Sequence, residues 1–160
     1  MASLSDLKLS YRLYMRAYMY RSFDWRPGTV LAKPLGEATI ACVTTASFSL
    51  PHQPPFDEKL RGGDYTYREI PSAADLKTLG ISHRSEAFDP NGIQADYNLA
   101  LPVDRLREMA ANGEIGGVAG RHFSFQGSIP APGRLVKQTA PEVAAKLRED
   151  GVDAVLLTPV

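Results

Sequence analysis

Two runs of apolar and β-branched residues divide the chain. Residues 39–45 read TIACVTT, and residues 152–158 read VDAVLLT directly after Gly151. Short runs of this kind without strict alternation are typical of strands that are buried on both faces, as in parallel sheets. Helical segments lie between the two runs, so we predict parallel pairing through right-handed crossovers.

Helical periodicity marks further segments of the chain. Residues 102–113 begin with a proline and end with Asn-Gly, and residues 139–151 begin with Thr-Ala-Pro-Glu. These are signals for the start and the end of a helix. A shorter helix is predicted after Ser72, with Asp75 in a weak capping box.

The first predicted helix, residues 6–22, has two side-chain lines. The apolar line consists of Leu7, Tyr11, Tyr14 and Tyr18, and the basic line consists of Lys8, Arg12 and Arg16. Tyrosine is enriched at subunit contacts, so the apolar line favours a homo-oligomer contact. The basic line is typical of a solvated helix face, although it also suits an anionic surface.

Polar and aromatic residues alternate over residues 121–128, RHFSFQGS. In a strand, His122, Ser124 and Gln126 share one face, and the two phenylalanines share the other. Two interpretations stay open: a polar face that binds substrate, or a half-buried strand with one face in solvent. A Ser–His hydrolase is only weakly supported, because no acid partner lies in register.

Residues 51–75 show no periodicity and are rich in proline and glycine, so we predict a long irregular loop. Residues 113–120 are also glycine-rich, but they follow a helix and fail the context of a dinucleotide-binding fingerprint. We predict a single α/β domain over residues 1–160 with an N-terminal helical extension over 1–37. Its fold class is a three-layer α/β fold with a mostly parallel open sheet, flanking helices and an incomplete C-terminal end.

Charge and composition argue against several classes of protein. The chain has 160 residues, with 18 basic and 18 acidic side chains and a formal net charge of zero. Nucleic-acid-binding domains usually carry a basic face, so we expect no nucleic-acid partner. No apolar run approaches the roughly 20 residues of a membrane span, and the N-terminus lacks the apolar core of a secretion signal. We therefore expect a cytoplasmic protein without a membrane partner.

Candidate metal ligands and nucleophiles are few. Cys42 is the only cysteine, which excludes an intramolecular disulfide, and its place within a strand is typical of a small buried hydrophobe. Potential metal ligands cluster at His83, Glu86, Asp89 and Asp96. Their spacing follows no helical or strand period and matches no known metal motif, so we assign no metal site.

Several segments together resemble one family. They are ATIACVTTASFSLP, REIP, ISHRSEAFDPNGIQADYNLALPVDRLREM, RHFSFQGSI and LREDGVDAVLLTPV. Their order and spacing resemble the glycine/sarcosine/betaine reductase component B group, which includes the selenoprotein subunit of D-proline reductase. The resemblance runs from about Thr39 to Val160.

The resemblance implies a selenol- or thiol-dependent reductase subunit that cleaves a C–N bond. It implies a selenocysteine or cysteine nucleophile directly after the position of Val160, so we expect the chain alone to be inactive and to hold no cofactor. No residue of this chain takes over the catalytic role, and Cys42 does not replace the nucleophile. The expected substrate-side residues are His83, His122, Ser124, Thr158, Pro159 and Val160.

The resemblance also implies a small amine or amino-acid-like substrate and partner reductase subunits. Two alternatives remain at this point. The chain is a non-catalytic binding or assembly subunit with a tyrosine-rich docking helix, or it is a metal-dependent enzyme that uses His83 and His122.

Overall fold

The computed structural model describes residues 8–17, 24, 28–85 and 88–160. It divides into two compact units, Met1–Val30 and Leu31–Val160. In the first unit, helix α1 covers Leu9–Ala17 and exposes apolar side chains, among them Leu9, Tyr11, Leu13 and Tyr14. The prediction of a helix is thus confirmed for these residues, whereas Leu7 and Tyr18 lie outside the described residues. The prediction of a single domain stays a prediction.

The described part of the second unit contains seven strands and three α-helices. The strands are β1 (Thr39–Thr44), β2 (Phe48–Ser49), β3 (Tyr67–Pro71), β4 (Gly80–Ile81), β5 (Gly117–Val118), β6 (Arg121–Phe125) and β7 (Ala154–Thr158). The helices are α2 (Asn91–Ala95), α3 (Val103–Ala111) and α4 (Ala140–Glu149). Short 3-10 turns cover Leu35–Glu37, Leu76–Thr78 and Tyr97–Leu99, and a π-helical turn covers Leu135–Thr139.

Strand β1 is the centre of the main sheet. It pairs in parallel with β5 through Ile40, with β6 through Val43, and with β7 along Ile40–Thr44. Since Ile40 and Val43 each also pair with β7, strands β5 and β6 lie on one side of β1 and β7 lies on the other. Strand β3 pairs antiparallel with β6. The mostly parallel α/β sheet is as predicted.

Helices cover both faces of this sheet. On one face, Ala41, Phe123 and Phe125 pack against α4 through Val143 and Leu147. On the opposite face, Ile40 packs with Leu106 of α3, and Cys42 belongs to a core cluster that contains Leu101 and Val103. Alternate residues of β1 therefore serve two separate cores, as expected of a strand within three layers.

Strand β6 is buried on both faces. His122, Ser124 and Gln126 are as inaccessible as Phe123 and Phe125. The alternation predicted from the sequence is confirmed, but a solvent-facing side for this strand is wrong. The polar side chains of β6 lie inside the protein, where His122 and Ser124 accept hydrogen bonds from the backbone of Cys42 and Phe48.

The segment predicted as irregular, residues 51–75, contains strand β3. Its loop is organised by Asp64, whose carboxylate accepts hydrogen bonds from the backbone of Asp57 at 3.0 Å and of Thr66 at 2.9 Å. Burial alone would raise the pKa of Asp64, but these hydrogen bonds, the Thr66 hydroxyl and the charge of Arg68 lower it below its ordinary value. Arg68 donates in turn to the carbonyls of Pro54 and Pro55.

Two other predicted segments differ in detail from the structure. The short helix after Ser72 is a single 3-10 turn, capped by Asp75, which accepts from the backbone N–H of Lys77. The glycine-rich segment forms the turn after α3 and then β5, with Gly113 at a φ of 73°. Gly116 lies against the backbone of Glu37, where no side chain fits.

Candidate functional site

The carboxyl ends of β1, β6 and β7 meet beside a small cleft. Its volume is about 410 Å³, and its lining residues are His83, Ser85, Phe88, Asp89, Ser128 and Val160. Ligand sites in open α/β sheets commonly lie outside the carboxyl ends of the strands. The volume is within the range of small-molecule pockets. This place and size make the cleft the candidate functional site.

Val160 is held in the cleft by the residues that follow β1. The backbone N–H of Thr45 donates to the carbonyl of Thr158 at 3.2 Å. The Thr45 hydroxyl accepts a hydrogen bond from the N–H of Val160 at 2.9 Å and lies 3.4 Å from its carbonyl oxygen. The hydroxyl of Thr158 turns away from the cleft and donates to the carbonyl of Ala100 at 2.7 Å.

His83 is the histidine of the cleft. Its ring stacks on Phe88 with 4.1 Å between the ring centroids, and its Nδ1 accepts from the backbone N–H of Ser85 at 3.1 Å. Because Nδ1 accepts, the proton of the neutral ring is assigned to Nε2. This Nε2 is buried, and within the described residues it makes no hydrogen bond of ordinary geometry, although the carbonyl of Val160 lies near enough to influence the ring.

The protonation of His83 follows from its surroundings. Burial lowers the pKa of His83, and the carbonyl of Val160 and the charge of Glu58 oppose that effect without cancelling it. The imidazole is therefore neutral near pH 7 and presents an N–H donor. A neutral N–H donor in a partly buried cleft can stabilise an anion through a hydrogen bond.

Two tight loops place the backbone around His83. Ser47, after β1, and Ser128, after β6, have φ values of 59° and 58°, in the left-handed region that few non-glycine residues adopt. The hydroxyl of Ser47 accepts from the N–H of Gly127 at 3.2 Å, and the N–H of Ser47 donates to the carbonyl of Phe125 at 3.0 Å. These bonds tie the loops together and set Gly127 directly against the ring of His83.

His122 and Ser124 lie in the sheet and not in the cleft. Nδ1 of His122 accepts from the backbone N–H of Cys42 at 3.0 Å, and the hydroxyl of Ser124 accepts from the backbone N–H of Phe48 at 2.7 Å. Burial, helped by the charge of Arg107, lowers the pKa of His122 to about 4. Of the expected substrate-side residues, the structure brings His83 and Val160 together and gives His122 and Ser124 partners inside the core.

Cys42 is enclosed within the sheet. Its side chain is fully buried, and burial raises the pKa of its thiol to about 11, although a hydrogen bond with Thr158 opposes the rise. A thiol with this pKa is a poor nucleophile at neutral pH. Burial and the raised pKa therefore make Cys42 a poor candidate for a nucleophile.

The candidate metal ligands are separated in the structure. His83 and Asp89 line the cleft, whereas Asp96 accepts from the backbone N–H of Asn98 at 3.0 Å beside a different surface. Glu86 lies outside the described residues. Within the described ranges, no three His, Cys, Asp or Glu side chains come together as metal ligands. In the same part of the chain, no helix is long and apolar enough to cross a bilayer.

Comparison with known proteins assigns the family. The sequence matches the glycine/sarcosine/betaine reductase selenoprotein B family over residues 7–160. The chain belongs to this family. The resemblance stated from the sequence motifs is therefore confirmed, and the residues around the cleft all lie inside the matched range.

Individual members of the selenoprotein B family are similar to this chain at moderate identity. The D-proline reductase subunit gamma of Acetoanaerobium sticklandii is 34% identical over 134 residues, which are 84% of this chain and 52% of the relative. A glycine reductase complex component B subunit gamma of Peptoclostridium acidaminophilum is 32% identical over 152 residues, 94% of this chain and 34% of the relative.

A betaine reductase complex component B subunit beta of Peptoclostridium acidaminophilum is 32% identical over 129 residues, 79% of this chain and 29% of the relative. The chain thus spans about half the length of the first relative and about a third of the other two. No solved structure matches the chain significantly.

Sequence reasoning missed the residues that shape the cleft. Thr45, Gly127 and Ser128 were within predicted strands or their ends, with no role assigned to them. One signal was available, since two consecutive threonines at the carboxyl end of a buried strand place hydroxyl groups where ligands usually bind. The close approach of Gly127 to His83 joins residues that are far apart in the chain, and no local pattern reports such a contact.

Proposed function

We propose that this chain is the scaffold of a selenol- or thiol-dependent reductase subunit of the glycine, sarcosine, betaine or proline reductase type. One observation carries the proposal. Val160, which precedes the position where the family resemblance puts the nucleophile, is fixed beside the buried N–H donor of His83. This geometry supports the proposal that a nucleophile at that position would face a small ligand in the cleft.

The proposed chemistry is a reductive cleavage. A selenolate or thiolate after the position of Val160 would attack the carbon that bears nitrogen, and the C–N bond electrons would leave with the nitrogen as a neutral amine. A second thiol would then attack the chalcogen and form a chalcogen–sulfur bond, while the electrons of the carbon–chalcogen bond stay on carbon, which takes up a proton. A dithiol donor would reduce the chalcogen–sulfur bond and restore the nucleophile. In this chain, His83 supplies the hydrogen-bond donor for this reaction. Its Nε2–H donates a hydrogen bond to the chalcogenolate, which lowers the pKa of the selenol or thiol.

A cationic amine is the substrate class that the cleft suits. The carboxylate of Asp89 lines it, and Glu58 lies close enough to raise the pKa of His83. Negative groups of this kind attract an ammonium group. The relatives are named for glycine, betaine and D-proline reduction, and these amine substrates are small enough for a cleft of about 410 Å³.

Partner subunits are part of the proposal, because several relatives are named as subunits of reductase complexes. The assembly alternative is favoured by one observation. Helix α1 leaves Leu9, Tyr11 and Leu13 more than half exposed, and exposed apolar and aromatic side chains are typical of docking faces. We assign this face to subunit contact, either with another copy of the chain or with a partner subunit.

A form of the protein with a cysteine added directly after Val160 tests the function. We expect its thiol to react with iodoacetamide at pH 7 at least about tenfold faster than an unperturbed cysteine, because its pKa is lowered. Site-specific mass spectrometry separates this thiol from Cys42. His83→Leu, which removes the N–H donor, should raise the pKa of the added thiol, whereas His52→Leu, on the exposed loop, should leave it unchanged.

An added thiol that reacts no faster than an unperturbed one would remove the main support for this function. The chain as it stands should not turn over glycine, betaine or D-proline with a dithiol donor. Measurable turnover by that form would show that the chemistry lies elsewhere.

A further inference from the structure

We infer that Thr45 is a positioning residue, which acts through Val160 to aim the residue that follows it into the cleft. The inference rests on the proposed function, and it adds a residue that does not itself react. Thr45 is the first residue after β1, and its hydroxyl is the group that holds the backbone of Val160.

Backbone pairing ends before the site. The ladder between β1 and β7 stops at the pair Thr44 and Thr158. Pro159 has no N–H and cannot donate to a continued ladder. Only the carbonyl of Thr158 accepts one more backbone bond, from the N–H of Thr45. Without a further contact, the chain beyond Pro159 would be free to turn away from the sheet.

The Thr45 side chain supplies that contact. Its oxygen accepts from the Val160 N–H at 2.9 Å and lies 3.4 Å from the Val160 carbonyl oxygen, to which it donates. One hydroxyl thus replaces the two backbone partners that a longer strand would offer. A hydroxyl is needed for this because it both donates and accepts, and β-branching limits the rotamers of threonine.

The backbone of Thr45 is itself restrained. The N–H of the next residue, Ala46, donates to the hydroxyl of Thr44 at 3.2 Å. The carbonyl of Thr45 lies so near Gly127 that a Cβ there would be 2.8 Å away. The backbone that carries the Thr45 hydroxyl is therefore restrained, and it packs against Gly127, the residue that also contacts His83.

Thr45→Val and Thr45→Ser test the inference in the form that carries a cysteine after Val160. Valine keeps the shape but removes the hydroxyl, and we expect the alkylation rate at pH 7 to fall at least about tenfold, with the pH–rate profile displaced to higher pH. Serine restores the hydroxyl and should return the rate to within about threefold of the parent. Thr78→Val removes an exposed hydroxyl elsewhere and is the matched control.

Amide hydrogen exchange of Val160 in the unmodified chain is the second measurement. Thr45→Val should speed exchange at this amide at least about tenfold, and Thr45→Ser should not. If the Thr45→Val profile superimposes on the parent profile, or if the Val160 amide exchanges unchanged, the positioning role is overturned. If the added thiol of the form with Thr45 intact reacts no faster than an unperturbed thiol, the proposed function itself is overturned. If that thiol is activated but Thr45→Val leaves its reactivity unchanged, only the role of Thr45 is overturned.

Discussion

The ring of His83 rests on the backbone of Gly127 with no room for a side chain between them. A Cβ on Gly127 would overlap Nε2 of the imidazole and lie 2.8 Å from its Cδ2. The same Cβ would be 2.8 Å from the carbonyl oxygen of Thr45. Glycine at this position therefore allows the imidazole ring and the end of β1 to pack against the same backbone segment beside the cleft.

Gly127→Ala should destabilise the protein and displace His83. Since the backbone of Thr45 cannot yield easily, we expect the free energy of unfolding to fall by about 1–3 kcal/mol, as for other overpacked sites. Urea denaturation measures the loss, and NMR titration of His83 reports its displacement. Gly120→Ala is the control, because a Cβ there meets nothing within 4 Å, and a loss of equal size in both variants would contradict the proposed contact.

His122 makes the stability of the fold depend on pH. Its pKa is about 4 in the folded protein, against about 6.5 for an unperturbed histidine. Between these values the unfolded chain binds more protons, so the free energy of unfolding should fall as the pH drops from about 6.5 to about 4. The burial that lowers the pKa of His83 acts in the same direction.

Denaturation at pH 7 and pH 5 measures this effect. His122→Asn keeps an acceptor for the N–H of Cys42 but cannot titrate, so we expect it to reduce the difference in stability between the two pH values. The exposed His52 serves as control, and His52→Asn should preserve the difference. An undiminished pH dependence in His122→Asn would show that His122 does not carry it.

The strands that sequence alone predicted were those with a strong local signal. Residues 39–45 and 152–158 are almost continuously apolar, and the structure pairs them in parallel from Ile40 to Thr44 of β1. The alternation at His122 and Phe123 correctly assigned the two faces of β6. For β1 and β6 the pattern of burial follows from consecutive residues. The predicted burial of β7 on both faces is wrong, because Val155, Leu156 and Leu157 are exposed on a strand that pairs with β1 alone within the described residues.

Neither strand β3 nor the set of residues that line the cleft could be predicted from a pattern of consecutive residues. Tyr67–Pro71 is short and mixed in polarity, and it becomes a strand because β6 offers it an antiparallel edge. His122 was expected beside the substrate because it shares a polar strand face with Ser124 and Gln126. Its buried hydrogen bond to Cys42 lies on the side of β1 opposite β7, where the pairing with β5 ends at Ile40 and the pairing with β6 begins at Val43. The need for this hydrogen bond arises only when the strands are assembled into a sheet, so no pattern of consecutive residues predicts it.

Cys42 should be unreactive in the folded protein. A pKa of about 11 leaves about one thiol in ten thousand ionised at pH 7, and the side chain has no solvent access. We expect Ellman's reagent to react at least about 100-fold faster after unfolding in guanidinium than before. A native rate close to that of free cysteine would mean that the sheet around Cys42 opens readily, and it would also complicate the thiol measurements on the longer form.

Arg121 joins β6 to β3 and to the end of α4 through a charged network on the surface. Its Nε and Nη2 bind the Asp150 carboxylate at 2.6 and 2.9 Å, and its Nη1 binds Glu69 at 2.9 Å. Lys146 also binds Glu69, at 2.8 Å. A bidentate pair with a second carboxylate stabilises more than an isolated surface pair does, because one guanidinium satisfies both acids.

Removal of this guanidinium should therefore cost stability in a salt-dependent way. We expect Arg121→Ala to lower the free energy of unfolding by about 1–2 kcal/mol at low salt and by less in 1 M NaCl, where exposed charges are screened. Arg105→Ala is the matched control, since the ion pair of Arg105 within the described residues is with Glu108 one helical turn away, and both side chains are more than half exposed. Its loss should stay within about 0.5 kcal/mol. Equal losses for the two variants in urea denaturation would mean that the bidentate geometry adds nothing beyond an ordinary surface charge.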